Sequence, residues 1–185
     1  IFVEMSMFSG AAIIIGRLGE VILAGHAIAL NIASIVFMLP LAIGLAAATR
    51  IGNLIGEKRL IDARYSSYTS VSLCLLGAFI NMIILIFLKE TFTSFYTKDV
   101  LVFNVAVNLL VFAAIFQIPD GIQMGSLGAL RGYKDTFIPM IYLIISYWIF
   151  AIPFGYFLTN FGFTVALGAK GMWIGMILGL IIFSI

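Results

Sequence analysis

Long stretches without a charged side chain decide what this chain can fold into. No Asp, Glu, Lys or Arg occurs in residues 5–16, 21–49, 65–88, 100–119, 136–169 or 171–185. A helix crossing the hydrocarbon core of a bilayer needs about 20 mostly apolar residues. The runs 65–88 and 100–119 match that length directly, and 136–169 holds one helix, a polar turn (TNFGFT, 159–164) and the approach to a last span. Unbroken runs without period-two alternation predict helices and not the short alternating segments of a membrane barrel. Six helices are predicted, near 1–18, 22–48, 65–88, 100–128, 138–158 and 170–185, making residues 1–185 one all-α transmembrane unit.

Composition agrees with that solvent. Hydrophobic residues make up 63% and charged residues 10%, against about 25% charged in soluble domains. Too little polar material is present to clothe a soluble core. A net charge of +2 with no basic stripe excludes nucleic acid as a partner and leaves the lipid bilayer. Cys74 is the sole cysteine, so no disulfide within the chain and no zinc or iron–sulfur spacing can be built. The chain opens on IFVEM with neither an initiator methionine nor a signal-peptide layout, and it ends uncharged. Both ends read as cut inside hydrophobic helices, the first and last helices being truncated pieces of a longer protein.

Lys and Arg give the orientation. The 50–64 and 131–136 connections carry Arg50, Lys58, Arg59, Arg64, Arg131 and Lys134, while the other three carry Arg17, Lys89, Lys98 and Lys170. Six against four places the first pair in the cytoplasm. Pro40, Pro119 and Pro153 fall inside spans, where each removes a backbone bond and kinks its helix. Gly171, Gly175 and Gly179 give the last span a double small-xxx-small face for close helix packing.

Of the eight acidic residues, six lie in or beside connections, usually next to a base: Glu57 with Lys58, Glu90 with Lys89, Asp99 with Lys98, Asp135 with Lys134. Glu4 and Asp120 instead lie within apolar spans. An acid near a helix centre costs about 2.5–3.5 kcal/mol on insertion scales, so it marks a functional site by default. Glu4 stands ~20 Å before the outer end of the first span and Asp120 ~30 Å beyond the outer start of the fourth. With tilt and a kink at Pro119, the two fall at similar depth in the inner half of the bilayer and can share one cavity. Phe116, Gln117, Gln123 and Met124 share helical spacing with Asp120, and the second span adds Asn31, Ser34 and Phe37 as candidate lining. Two carboxyls in a low-dielectric cavity bind a proton, Na⁺ or an organic cation in exchange for one another, which is the simplest chemistry of antiport. Packing alone is one competing explanation of both acids, and for Glu4 the loss of its upstream context at the cut is another.

Other candidates carry less. His26 reads as an interfacial histidine at the outer start of the second span, with a proton relay as the alternative. Trp148 and Trp173 read as packing or interface anchors, and Tyr142, Tyr147 and Tyr156 as residues that can line a cavity for aromatic cations. No nucleophile–base pair, metal-ligand cluster or phosphate loop is present; Gly52-x-x-x-Gly56 lacks the Lys-Ser/Thr of an ATPase loop. No enzyme activity and no cofactor are expected.

Three stretches resemble the multidrug and toxic compound extrusion (MATE) family, in its NorM-type bacterial branch. They are Phe2-Val3-Glu4, the run GHAIALNIASIVFMLPLAIGLAAATRIGNLIGE at 25–57, and FQIPDGIQMGSLGALRGYKDT at 116–136 followed by ISYW at 145–148. The similarity covers essentially the whole chain. It implies a C-terminal six-helix lobe, half of a twelve-helix, two-lobe transporter of the bacterial inner (plasma) membrane. The partners implied are the N-terminal six-helix lobe of the same protein and organic cation or drug substrates. The activity implied is multidrug antiport coupled to Na⁺ or H⁺. Glu4 and Asp120 match the family's cation-binding acids, and would be the metal ligands if sodium is the coupling ion. One departure is Phe116, where relatives often have tyrosine; a hydroxyl ligand is lost, and the choice between Na⁺ and H⁺ stays open. The rival readings are a lipid-linked saccharide flippase of related architecture, which calls for cavity cations, an intramembrane aspartyl-type enzyme, and a membrane scaffold.

Overall fold

A computed structural model describes residues 2–162 and 165–184, the side chains of Phe2 and Ser184 excepted. It holds six helices: α1 (Phe2–Gly16), α2 (Glu20–Gly56), α3 (Leu60–Tyr96), α4 (Val100–Gly132), α5 (Phe137–Asn160) and α6 (Ala169–Ser184). Among the described residues there is no strand. Helices α2 to α5 are long and apolar enough to cross a membrane, and α1 and α6 are shorter apolar helices. Phe163 and Thr164 of the predicted polar turn, like Ile1 and Ile185 of the predicted end spans, lie outside the described residues.

The helices run well past the charge-free stretches. α2 and α3 have 37 residues each, about 55 Å at 1.5 Å per residue, against a hydrocarbon core of about 30 Å. Charge ends a membrane span without ending a helix. The predicted 50–64 connection therefore shrinks to Glu57–Arg59, with Arg50 on α2 and Arg64 on α3. The 131–136 connection likewise loses Arg131 to the last turn of α4. Both turns close the same way. Lys58 and Lys134 take left-handed φ values of 62°, and the next amides bond back to Leu54 and Leu130. That is the Schellman pattern with lysine where glycine is usual.

α4 is the centre of the bundle, and glycine puts it there. Gly121 and Gly125 lie on the backbone of α3 at Cys74, Val71 and Ser70, and Gly128 and Gly132 lie on α2 at Gly44 and Ile51. A Cβ on Gly128 would sit 2.4 Å from the Gly44 carbonyl oxygen, so only hydrogen fits. The predicted glycines of the last helix do the same work on the other side. Gly171, Gly175 and Gly179 lie on Leu158, Gly155 and Ala151 of α5.

Proline consequences are answered locally. Pro40 cannot donate to Val36 O, four residues back; Asn81 Nδ2 of α3 donates to that carbonyl at 2.7 Å instead. Pro153 follows a π-helical turn, Ile145–Ala151, within α5. Charges settle differently from the predicted neighbour pairs. Arg59 donates to Glu57 (3.2 Å) and Asp62 (2.8 Å), all three exposed. Asp99 caps α4, its Oδ1 accepting from the amides of Leu101 and Val102.

Candidate functional site

Two acids from distant parts of the chain open onto one cavity. Glu4 lies near the start of α1 and Asp120 in the inner part of α4, one residue after Pro119. Both line a space of about 310 Å³ between α1, α2, α4 and α5. Its walls are apolar: Met5, Phe8, Leu30, Ala33, Phe37, Met38, Leu41, Phe116 and Met124. Ser34 and Gln117 add polar edges, Tyr147 a phenol, and Arg131 a cation.

Glu4 is held by a chain of hydrogen bonds. Gln123 Nε2 donates to Glu4 Oε1 at 2.8 Å, and the Tyr147 hydroxyl donates to Gln123 Oε1 at 2.7 Å. Gln123 is fully buried and does not line the cavity; it stands behind Glu4 as its positioner. Tyr147 sits on the π turn of α5, where a wider helical turn re-aims a side chain, a device frequent at functional sites. About half a turn along α1, Ser6 Oγ accepts from Trp148 Nε1 at 3.3 Å. Asp120 has no side-chain hydrogen bond to another described residue and is 8% exposed.

Five of the seven predicted lining residues meet in this cavity; Gln123, behind Glu4, and Asn31 do not. Ser34, Phe37, Phe116, Gln117 and Met124 line it. Asn31 turns away: its Oδ1 accepts from the Tyr96 hydroxyl of α3 at 2.7 Å. The reason is angular, since Asn31 stands about 100° round the helix from Leu30, at the edge of the face that Leu30, Ala33, Phe37 and Leu41 turn to the cavity. His26 is not interfacial. It is 1% exposed, edge-on to Trp173 with ring centroids 5.7 Å apart, and among the described residues neither ring nitrogen has a partner. Trp173 in turn packs on Phe116 (6.1 Å), which also meets Phe8 (6.0 Å). Trp173 is thus packing, while Tyr142 and Tyr156 are exposed.

Sequence reasoning missed Phe8 and Arg131 as lining residues. Each had a signal: Phe8 is four residues from Glu4, and Arg131 lies eleven from Asp120, three turns on the same face. Arg131 stands about 16 Å from Asp120 along α4, a guanidinium at the loop end of a cavity with two carboxyls at depth.

The MatE family model matches residues 1–157. The chain belongs to the MatE family. Among curated MatE relatives, the multidrug resistance protein NorM of Vibrio vulnificus (strain YJ016) is 39% identical over 97% of this chain and 40% of its own length. PmpM of Pseudomonas aeruginosa is 38% identical over 97% of the chain and 38% of its own length. The chain thus spans about two fifths of the curated relatives it matches. In fold, it superposes on the eukaryotic MATE transporter AtDTX14 with a TM-score of 0.88 at 22% identity, covering 96% of this chain and 40% of that one. It is a multi-pass α-helical membrane protein.

Proposed function

We propose that this chain is the C-terminal six-helix lobe of a bacterial inner-membrane multidrug antiporter, exporting organic cations in exchange for Na⁺ or H⁺. The observation that carries the reading is Glu4 and Asp120 on one apolar-walled cavity of about 310 Å³. A cation entering it meets carboxylate oxygens at depth and aromatic faces at Phe8, Phe37 and Phe116. The coupling ion is cargo, held by exchange at the two acids. Loading by one cation excludes the next, and each charge moved across the membrane is worth ~2.3 kcal/mol per 100 mV. The multidrug resistance names of the relatives support this reading. A single arginine at the cavity's loop end does not make the cationic cluster that a pyrophosphate-carrying lipid would need.

The test is ethidium efflux from proteoliposomes of the whole transporter under an imposed Na⁺ or H⁺ gradient, one at a time. Asp120→Asn and Glu4→Gln should each abolish gradient-driven efflux at normal protein levels. Wild-type efflux by both variants would sink the mechanism, and the gradient that drives the unaltered protein names the ion.

A further inference from the structure

A second site lies on the far side of α2. Arg50 follows Leu41 by about two and a half turns, so it leaves α2 opposite the cavity of the acids. There α2 and α3 diverge into an open cleft of about 460 Å³, larger than that cavity. Its loop end carries Arg50, Arg59 and Asp62, its middle the hydroxyls of Tyr65, Ser66 and Thr69, and its deep end Ile43 and Leu73.

The donors in the cleft are not equally engaged. Arg59 is bound to Glu57 and Asp62, and the Thr69 hydroxyl donates to Tyr65 O of its own helix. Arg50 and Ser66 make no side-chain hydrogen bond or ion pair with another described residue. A cation and a hydroxyl therefore stand ready for an acceptor between two helices, and no side chain caps the adjacent N-terminus of α3.

Depth then selects the ligand. Arg50 immediately follows the charge-free run 21–49, which sets it at the level of lipid phosphates. Ile43 lies about 10 Å deeper along α2, and Leu73 beside it is 47% exposed. The cleft passes from charge to hydrocarbon over the length of a phospholipid's upper half. Basic clefts between membrane helices on the cytoplasmic side suit anionic headgroups, and the Lys and Arg bias puts this end in the cytoplasm. A free phosphate ester would have no use for the apolar end.

We propose that this cleft seats one anionic phospholipid, its phosphate on Arg50 and Ser66 and an acyl chain along Ile43 and Leu73. The site is independent of the acids and of the transport reading. It brackets the turn between α2 and α3, so an occupied cleft ties that end of the bundle to the inner leaflet.

Native mass spectrometry of the whole transporter in detergent tests it, with phosphatidylglycerol titrated against phosphatidylcholine of matched chains. The unaltered protein should retain one phosphatidylglycerol in preference to phosphatidylcholine. Arg50→Gln should cut that retention roughly fivefold, the worth of one cation at the membrane surface. Arg50→Lys should keep most of it, and Lys170→Gln at the opposite end should change nothing. Equal retention of both lipids by the unaltered protein overturns the proposal, as does unchanged phosphatidylglycerol binding by a normally melting Arg50→Gln. Displacement of the lipid by equimolar glycerol phosphate would show a soluble-ester site and also overturn it. Should Arg50→Gln melt early, Leu73→Trp decides, because it fills the acyl end and leaves Arg50 in place; unchanged retention there overturns the proposal too.

Discussion

Glu4 and Asp120 share a cavity but are held by different means. Asp120 rides on α4, which is welded to α2 and α3 through backbone contacts at Gly121, Gly125, Gly128 and Gly132. Glu4 rides on α1, which packs through a stripe of side chains, Met7, Ala11 and Ile15, each fully buried, while Met5 and Ile13 are exposed. Among the described residues no glycine brings the α1 backbone onto a neighbour: a Cβ on Gly10 would meet the end of Ile152, at 3.3 Å. Polar ties of α1 to its described neighbours include two side-chain bonds, Gln123 to Glu4 and Trp148 to Ser6. One acid is therefore fixed by steric contact, which ignores charge. The other is fixed by hydrogen bonds, which depend on what Glu4 carries.

The sharpest way to break this comparison is to attack the weld. Gly128→Val places a Cβ 2.4 Å from the Gly44 carbonyl oxygen, against backbone that must shift, and adds two methyl groups to it. Overpacking of this kind costs about 1–3 kcal/mol, occasionally more, and the expected result is low yield with early melting in detergent. Gly10→Ala, set against a flexible side-chain end, should stay within about 0.5 kcal/mol of the unaltered protein. Equal melting temperatures for the two variants would show that α4 is no more welded than α1.

A smaller effect separates the links in the Glu4 chain. Gln123→Leu removes the donor to Glu4 and the acceptor of Tyr147 together, and the buried Tyr147 hydroxyl left unmatched costs about 1–3 kcal/mol. Tyr147→Phe removes one hydroxyl and leaves Gln123 on Glu4, at a net cost of about 1 kcal/mol. Efflux and melting should therefore fall in the order unaltered, Tyr147→Phe, Gln123→Leu. An unaffected Gln123→Leu would mean that packing alone positions α1.

How much of this was legible follows from which forces act locally. Six helices could be read because the bilayer imposes a length and a solvent on every span. That Glu4 and Asp120 open on one cavity could be read from depth, because rise per residue is fixed. Helix ends could not: Arg50, Arg64 and Arg131 mark where hydrocarbon stops, and α2, α3 and α4 continue into the turns. Asn31 and His26 were misplaced because periodicity gives a face without saying which neighbour covers it. The stripe Gly121, Gly125, Gly128 and Gly132 was open to reading by the same spacing that revealed the one on α6. The π turn under Tyr147 has no local signature in the sequence beyond Pro153, which follows it.

His26 offers the finest discrimination between steric and polar fixing. It is buried between α2 and α6 against Trp173, and both its ring nitrogens and the Trp173 indole N–H lack partners among the described residues. A buried polar group without a partner is a cost, whereas an apolar residue of similar shape in its place can be neutral or stabilising. If shape alone holds this side of the bundle, His26→Leu should leave melting unchanged or raise stability by up to about 1 kcal/mol. Efflux should also be unchanged, because the imidazole does not line the cavity and is separated from it by Trp173 and Phe116. A loss of more than about 1 kcal/mol would instead reveal a buried water bridging the imidazole and indole, and α6 would join α1 among the elements held by hydrogen bonds.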